Sequence, residues 1–348
     1  MNEFSILGLS KPLIDAIEEL GFIQPTPIQS KAIPELLQND TDLVGLAQTG
    51  TGKTAAFGLP LVELVETSER HTQALILAPT RELCLQIANE LKQFGKHFPL
   101  LKIVEVYGGA DIGRQIREVK KGAQIIVATP GRLRDMINRR AVNLNQVEYV
   151  VLDEADEMLN MGFKQEIDDI LDNTPEDKLT WLFSATMPED VRRISLNYMS
   201  NPLELNVGSK NTANDDIDHQ YVVTRPSERY EVLRRYLDFD SEIFALVFCR
   251  TRGDSKELAD QLARDGYNAD ALHGDLNQAQ RDRVMDGFRT GRLRVLIATD
   301  VAARGIDVND ITHVFHFNIP EDRAFYTHRS CRTGRAGKKG ISLVLCHP

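Results

Sequence analysis

Apolar residues in this chain alternate between two patterns. Short unbroken runs at 43–47, 74–78, 102–107, 124–128, 149–152, 180–183 and 203–207 predict strands buried on both faces. Between most of them apolar positions return every three or four residues, as over 81–94 and 112–119, which predicts helices. Strand and helix in turn make βαβ units, and therefore a parallel sheet covered on both faces. Ahead of the first strand, Leu13, Ile14, Ile17 and Leu20 keep helical spacing, and Gly21 suits a helix stop. Pro25 and Pro27 then hold an extended bend before Gln29 enters a second helix.

The alternation breaks at Gly208-Ser-Lys-Asn-Thr-Ala-Asn-Asp-Asp, a polar, turn-rich stretch that reads as a linker. A second series follows, with strands expected at 219–223, 245–249, 268–272, 295–298, 313–317 and 341–345. The predicted organisation is α/β: a parallel-sheet domain over 1–207, a linker over 208–216 and a second sheet domain over 217–348. Sheets of this kind usually finish with a covering helix, so a last strand next to Pro348 leads us to expect a core lacking its tail.

The length of 348 residues accommodates two domains of ordinary size. No apolar run approaches a membrane span, and the N-terminus has no signal-peptide core, so no membrane partner is expected. Cys84, Cys249, Cys331 and Cys346 are scattered without a Cys-x-x-Cys pair, which argues against a zinc or disulfide framework and fits a reducing cytoplasm. A net charge of −10 means that any nucleic-acid binding must come from a local cleft against a repulsive global field. Arg281, Arg283, Arg289, Arg292 and Arg294 do cluster, but on charge alone they read as a solvated helix and turn.

Chemistry enters at Ala47-Gln48-Thr49-Gly50-Thr51-Gly52-Lys53-Thr54, which follows a predicted strand and opens a helix. Glycines there let successive backbone N–H groups converge, and the helix N-terminus adds partial positive charge, which together cradle phosphate. Lys53 is placed to reach the β/γ-phosphates and Thr54 to offer its hydroxyl to Mg²⁺. The strict pattern has Gly where Ala47 stands. Gly50-x-Gly52-x-x-Ala55 also fits a dinucleotide fingerprint, but the next strand ends in Pro79-Thr80 without the acidic residue that a ribose needs. A plain turn is the remaining alternative.

A further apolar strand ends in Asp153-Glu154-Ala155-Asp156, where Asp153 would hold Mg²⁺ and Glu154 would orient or deprotonate water. An acidic helix N-terminus is the plain alternative. Pro79-Thr80-Arg81-Glu82-Leu83, Gly108-Gly109 and Thr129-Pro130-Gly131-Arg132 follow other strands and carry donors suited to phosphate oxygens, or else serve as caps and turns. In the second domain, 298–307 follows a strand and 328–335 carries arginines three apart, on roughly one face if helical. Such arginines could act as fingers on a phosphate site.

In this order the motifs resemble the DEAD-box family of ATP-dependent RNA helicases, in a bacterial form, over nearly the whole chain. The resemblance rests on 21–29, 47–54, 79–83, 108–109, 129–132, Asp-Glu-Ala-Asp at 153–156, Ser184-Ala185-Thr186, 247–251, Gln278-x-x-Arg281, 298–307 and 328–335. It implies two RecA-like domains with ATP and Mg²⁺ between them. Phe22 and Gln29 would read adenine, and residues 48–54 would hold the phosphates, with Asp153 reaching Mg²⁺ through water. Gly305 and Asp307 would lie at the nucleotide, with Asp307 on the ribose. Ser184, Thr186, Asp156 and His328 would couple nucleotide state to closure. Thr80, Arg81, Gly109, Thr129, Arg132, Arg281 and Thr299 would contact the RNA backbone, while Arg332 and Arg335 would be the fingers. The implied activity is RNA-stimulated ATP hydrolysis with local separation of short duplexes by a monomeric core, and a further tail would recruit other partners. The alternative is an ATP-gated RNA clamp with little unwinding. Position 250 is Arg where Asn is frequent in the family, with little expected consequence. Position 331 is Cys where the family pattern has Gly. If that glycine serves a positive φ or a close backbone approach, cysteine there displaces the fingers.

Overall fold

A computed structural model of the chain describes residues 2–48, 50–207, 216–303, 306, 308, 310–320, 323–334 and 338–347. Thr49, Gly305, Asp307, Arg335 and positions 208–215 of the expected linker lie outside the described residues. Two compact units divide the chain, Met1–Gly208 and Ser209–Pro348.

The first unit is built on seven described strands: β1 (Leu43–Ala47), β2 (Ala74–Leu77), β3 (Ile103–Val106), β4 (Ile125–Ala128), β5 (Tyr149–Asp153), β6 (Leu179–Ser184) and β7 (Leu203–Val207). They lie in the order β3-β4-β2-β5-β6-β1-β7, every pair parallel. All carboxyl ends therefore face one edge. β2 and β4 are buried at every position, the pattern of strands covered on both faces. β7 alternates partly buried with exposed residues, as an edge strand does. One apolar layer centres on Phe57, Leu91, Trp181 and Phe183, and the layer on the other face on Leu75, Ile126, Leu152 and Leu182.

Gly45 shows why a glycine interrupts β1. A Cβ there would sit 2.8 Å from two ring carbons of Phe183, its register partner on β6. Just before β1, the buried Asp42 carboxylate accepts from the Thr180 N–H at 2.6 Å and from the Ser200 N–H at 2.5 Å. Those bonds pin β1 between β6 and β7.

In the second unit the strands are β8 (Ile217–Val223), β9 (Ala245–Cys249), β10 (Ala269–Leu272), β11 (Val295–Thr299), β12 (His313–His316) and β13 (Gly340–Cys346), in the order β10-β11-β9-β12-β13-β8. All pairs are again parallel. The α/β fold with two parallel sheets is as expected, and each predicted strand is present within a residue or two. Among the described residues no helix is long and apolar enough to cross a membrane.

Candidate nucleotide and nucleic-acid site

Strand order decides which motifs become neighbours. β5, β6 and β1 are adjacent, so Asp153-Glu154, Ser184–Thr186 and the glycine-rich turn emerge side by side at one sheet edge. β3, β4 and β2 continue the same edge and carry Gly108-Gly109, Thr129–Arg132 and Thr80-Arg81. Sequence order mixes the two groups, and the sheet separates the motifs expected at the nucleotide from those expected at the RNA backbone.

In the glycine-rich turn, Gly50 and Gly52 take φ of 80° and 85°, the left-handed region where a side chain is costly. Thr51 closes the turn by donating its hydroxyl to the Gln48 carbonyl at 2.7 Å. The helix Lys53–Leu64 starts directly behind it, with its unpaired first N–H groups at the turn. Lys53 is buried, and its ammonium donates to the Ala47 carbonyl at 3.1 Å, leaving two further N–H donors. Thr54 is partly buried in the first turn of that helix.

Gln29 is drawn to the same place. Thr26 stands at the N-cap position of the helix Pro27–Gln38, and Gln29 Oε1 accepts from the Thr26 N–H at 2.8 Å. Its Nε2 donates to the Gly52 carbonyl at 3.0 Å, although 23 residues separate the two. A Cβ on Gly52 would lie 2.3 Å from that nitrogen, so this glycine also permits the close approach. One N–H and one acceptor lone pair of the amide stay outside these two bonds. Phe22 is partly buried, its ring 6.1 Å from Phe4 and 6.2 Å from Phe94, so much of it packs on the core.

Asp153 is nearly fully buried at the end of β5 and accepts from the Glu154 N–H at 3.0 Å. Burial, opposed by Lys53 and reinforced by Glu154, pushes its carboxyl up to about 7. Glu154 sits at φ 50° and ψ 50°, the left-handed region that a non-glycine residue enters at a cost of about 1–2 kcal/mol. This strained backbone turns its side chain sharply off the strand, and among the described residues its buried Oε2 has no hydrogen-bond partner. Such an orphaned acceptor fits a site built to meet a proton donor from a ligand or water.

Asp156 joins two motifs. One of its carboxylate oxygens accepts from the Thr186 hydroxyl at 2.6 Å and the Thr186 N–H at 3.0 Å. Ser184, fully buried, donates to the Thr186 carbonyl at 2.7 Å. The tips of β5 and β6 are thereby bonded to each other. Asp153 and Thr54 supply hard oxygen donors, and no group of three or more His, Cys, Asp or Glu among the described residues could hold a metal by itself. That donor set fits Mg²⁺, which keeps water and phosphate oxygens rather than filling an all-protein cage.

On the other half of the edge, Thr80 caps the helix Arg81–Phe94 by accepting from the Leu83 N–H at 3.2 Å. Arg81 lies over the Tyr107 ring, 4.9 Å from its centroid. Thr129 begins the helix Pro130–Asn138 without a side-chain cap bond, and a Cβ on Gly108 or Gly131 would meet nothing within 4 Å. Gly109 has φ of 81°. Arg132 donates to the Ala110 carbonyl at 3.1 Å and to Gln115 Oε1 at 2.9 Å, and Gln115 donates on to the Tyr107 carbonyl at 3.1 Å. Gln115 and Tyr107 escaped the sequence reading because a glutamine inside a charged helix carries no signal until burial is known.

In the second unit, Arg281 is partly buried in the helix Gln278–Arg289, Thr299 closes β11, and His328 is partly buried in the helix Arg323–Ser330. For Arg329 and Arg332, the described members of the set, the expected single helical face does not form. That helix ends at Ser330, and Gly334 at φ 66° closes the turn beyond it. Arg329 donates two bonds of 2.6 Å to the Asp300 carboxylate, one to the Asn318 carbonyl at 2.8 Å, and lies over the Phe248 ring. Arg332 instead donates to the Ile306 carbonyl at 3.1 Å. The sequence grouped Arg329 with the other arginines of 328–335 and did not foresee its bonds to Asp300 and Asn318. Its partners end neighbouring strands and only the fold gathers them.

The expectation for Cys331 is corrected in part. It is not among the residues with positive φ, and its N–H donates to the Thr327 carbonyl at 3.0 Å, continuing the helical pattern for another residue. A left-handed conformation is therefore no reason for glycine here.

Comparison with known proteins agrees with this geometry. Residues 26–194 match the DEAD/DEAH box helicase family and residues 228–337 the helicase conserved C-terminal domain. The chain is 49% identical over 348 residues to the DEAD-box ATP-dependent RNA helicase CshA of Bacillus cereus, covering 100% of this chain and 66% of that protein. It is 48% identical over 345 residues to the Bacillus subtilis protein of the same name, covering 99% of this chain and 69% of that one. The chain thus spans about two thirds of the length of these relatives. Among solved structures it is similar to S. cerevisiae Dbp5 bound to RNA and ADP BeF3, with a TM-score of 0.91 and 32% identity, covering 100% of this chain and 90% of that one. With its two motif-bearing halves matched in order along the whole length, the chain belongs to the DEAD-box helicase family.

Proposed function

We propose that the chain is an RNA-stimulated ATPase that separates short RNA duplexes or remodels RNA–protein complexes. The observation that carries this reading is the sheet edge itself. It lays the nucleotide motifs of β5, β6 and β1 beside the backbone-contact loops of β3, β4 and β2, with Asp156 bonding two of the motifs together.

The roles follow from the chemistry of each group. Residues 48–54 cradle the phosphates, and Lys53 exchanges its bond to Ala47 for the β/γ-phosphate oxygens. Gln29 uses its remaining donor and acceptor on the adenine edge, with Phe22 beside it. Asp153 and Thr54 would hold Mg²⁺, which when bound offsets phosphate charge. Glu154, with an unpartnered carboxylate oxygen, orients and deprotonates the attacking water. Arg332, and Arg335 with it, stabilises charge on the transferring phosphoryl group as a finger. Gly305, Asp307 and His328 complete the nucleotide and coupling contacts. Thr80, Arg81, Gly109, Thr129, Arg132, Arg281 and Thr299 grip RNA through its backbone, without sequence preference. Loss of the γ-phosphate is felt first at the joined tips of β5 and β6, through the Asp156–Thr186 bonds.

The test is steady-state ATP hydrolysis with and without single-stranded RNA. RNA should raise kcat at least tenfold, DNA of the same sequence should not, and turnover indifferent to RNA would overturn the proposal. A strand-displacement assay on a short duplex then separates unwinding from clamping.

A further inference from the structure

We infer that His316 is a positioning residue for Arg332, acting through a chain of hydrogen bonds that ends on Ser330, the last residue of the helix Arg323–Ser330 and two residues before the finger. The inference rests on the reading of Arg332 as a finger and adds what fixes its position.

Three buried polar side chains meet at the end of that helix. His316 comes from β12, Ser342 from the neighbouring β13 and Ser330 from the end of the helix Arg323–Ser330. Their exposures are 0%, 0% and 1%. His316 Nε2 lies 3.0 Å from Ser342 Oγ, Ser342 Oγ lies 2.8 Å from Ser330 Oγ, and Ser330 Oγ lies 2.8 Å from the Tyr326 carbonyl. Donor counting fixes the direction. A carbonyl only accepts, so Ser330 gives its proton to Tyr326, Ser342 gives its own to Ser330, and His316 donates through Nε2–H to Ser342. Ser330 Oγ is also 3.3 Å from the same imidazole nitrogen. The imidazole in addition stacks on the Tyr326 ring, with centroids 4.9 Å apart.

The arrangement departs from what stability alone would select. His316 Nδ1 is buried with no hydrogen-bond partner among the described residues, and an orphaned buried nitrogen costs free energy. The neighbouring β9 is apolar along its whole length, and an apolar side chain at 316 would avoid that cost. What the polar chain supplies is direction: one imidazole, one serine and one serine admit a single relay, which sets the height and rotation of the helix end. The ladder then runs on past Ser330, with the Cys331 N–H donating to Thr327 and the Arg332 N–H donating to Arg329. A shift at Ser330 is therefore carried to Arg332 two residues later. A reacting group displaced by about 1 Å can lose about 10²-fold in rate.

The test uses the full chain with ATP and single-stranded RNA. His316→Phe, which keeps a ring but ends the relay, should lower kcat by about tenfold to a hundredfold and leave KM for ATP within twofold. His316→Gln, which restores a donor, should recover most of the loss. In the nucleotide-free protein, amide hydrogen exchange at 331–334 should quicken in His316→Phe and not in His316→Gln. Combined with Arg332→Ala, His316→Phe should cost nothing further, because the finger through which it acts is gone. Ser330→Ala, a smaller change, should repeat the kcat loss if His316→Phe folds poorly. A kcat of wild-type size in both His316→Phe and Ser330→Ala, or losses that add to that of Arg332→Ala, would overturn the inference while leaving the finger intact. Wild-type turnover in Arg332→Ala alone would instead overturn the finger reading beneath it.

Discussion

At the scale of single residues, Glu154 combines a strained backbone with a buried oxygen that has no partner. Both features cost folding free energy, as expected of the general base proposed here. Glu154→Gln keeps the shape and removes the base. Its turnover should fall by at least about 100-fold while ATP binding persists, and its thermal midpoint should hold or rise because a buried charge is lost. Hydrolysis at the wild-type rate would show that another group handles the water. Cys331 leads to the opposite expectation from the one its motif invites. Its φ is not positive, so Cys331→Gly relieves no left-handed strain. The glycine should add backbone freedom and lower stability by about 0.5–1 kcal/mol, with no gain in turnover. A clear rise in kcat at saturating RNA would mean that cysteine crowds the finger turn.

Between elements, one side chain joins the proline-held bend to the phosphate cradle. Gln29 bonds Thr26 at one end of its amide and Gly52 at the other. Gln29→Ala leaves the Thr26 N–H and the Gly52 carbonyl without these partners, so chemical denaturation should show a loss of about 1–3 kcal/mol. The same variant should lose preference for ATP over GTP, CTP and UTP in competition binding, since a matched donor–acceptor pair rejects a mismatched base edge. Unchanged preference with lowered stability would leave Gln29 a structural clamp only. The Asp156–Thr186 bonds and the Gln115–Arg132 bond belong to this scale too. Each crosses between elements far apart in sequence.

For the whole molecule, the fate of His316 links stability to pH. Burial, then the nearby charges of Arg329 and His219, push its imidazole down to about 3. In the unfolded chain it protonates near its ordinary value of about 6.5. Between those values the unfolded state holds the extra proton, so stability is intact above about 6.5 and declines as pH falls toward 3. At pH 5 the decline from this one group should be on the order of 2 kcal/mol relative to pH 7. His219 and His313 are also shifted down, by burial first, so the informative quantity is the difference between wild type and His316→Gln. The wild type should lose more stability on acidification than the variant. Parallel decline in the two would place the acid sensitivity elsewhere.

Legibility in the sequence followed the range of the interaction responsible. The strands were readable because a run such as 74–77 must be buried on both faces, and local pattern alone says so. The cradle was readable because glycine spacing, Lys53 and Thr54 are contiguous, and Asp153-Glu154 because they end a strand. The relay of His316, Ser342 and Ser330 could not be read, since its members lie on three elements and a serine or histidine has no pattern outside its partners. Arg329 and Arg332 look alike in the sequence, yet the helix end at Ser330 sends one to Asp300 and the other to Ile306. Contiguous residues and periodicity are properties of the chain, so the sequence by itself determined the elements, the motifs and the class of chemistry. Strand order and side-chain direction arise only when distant elements pack, so tertiary structure alone decided which motifs are neighbours and which polar atoms find a partner.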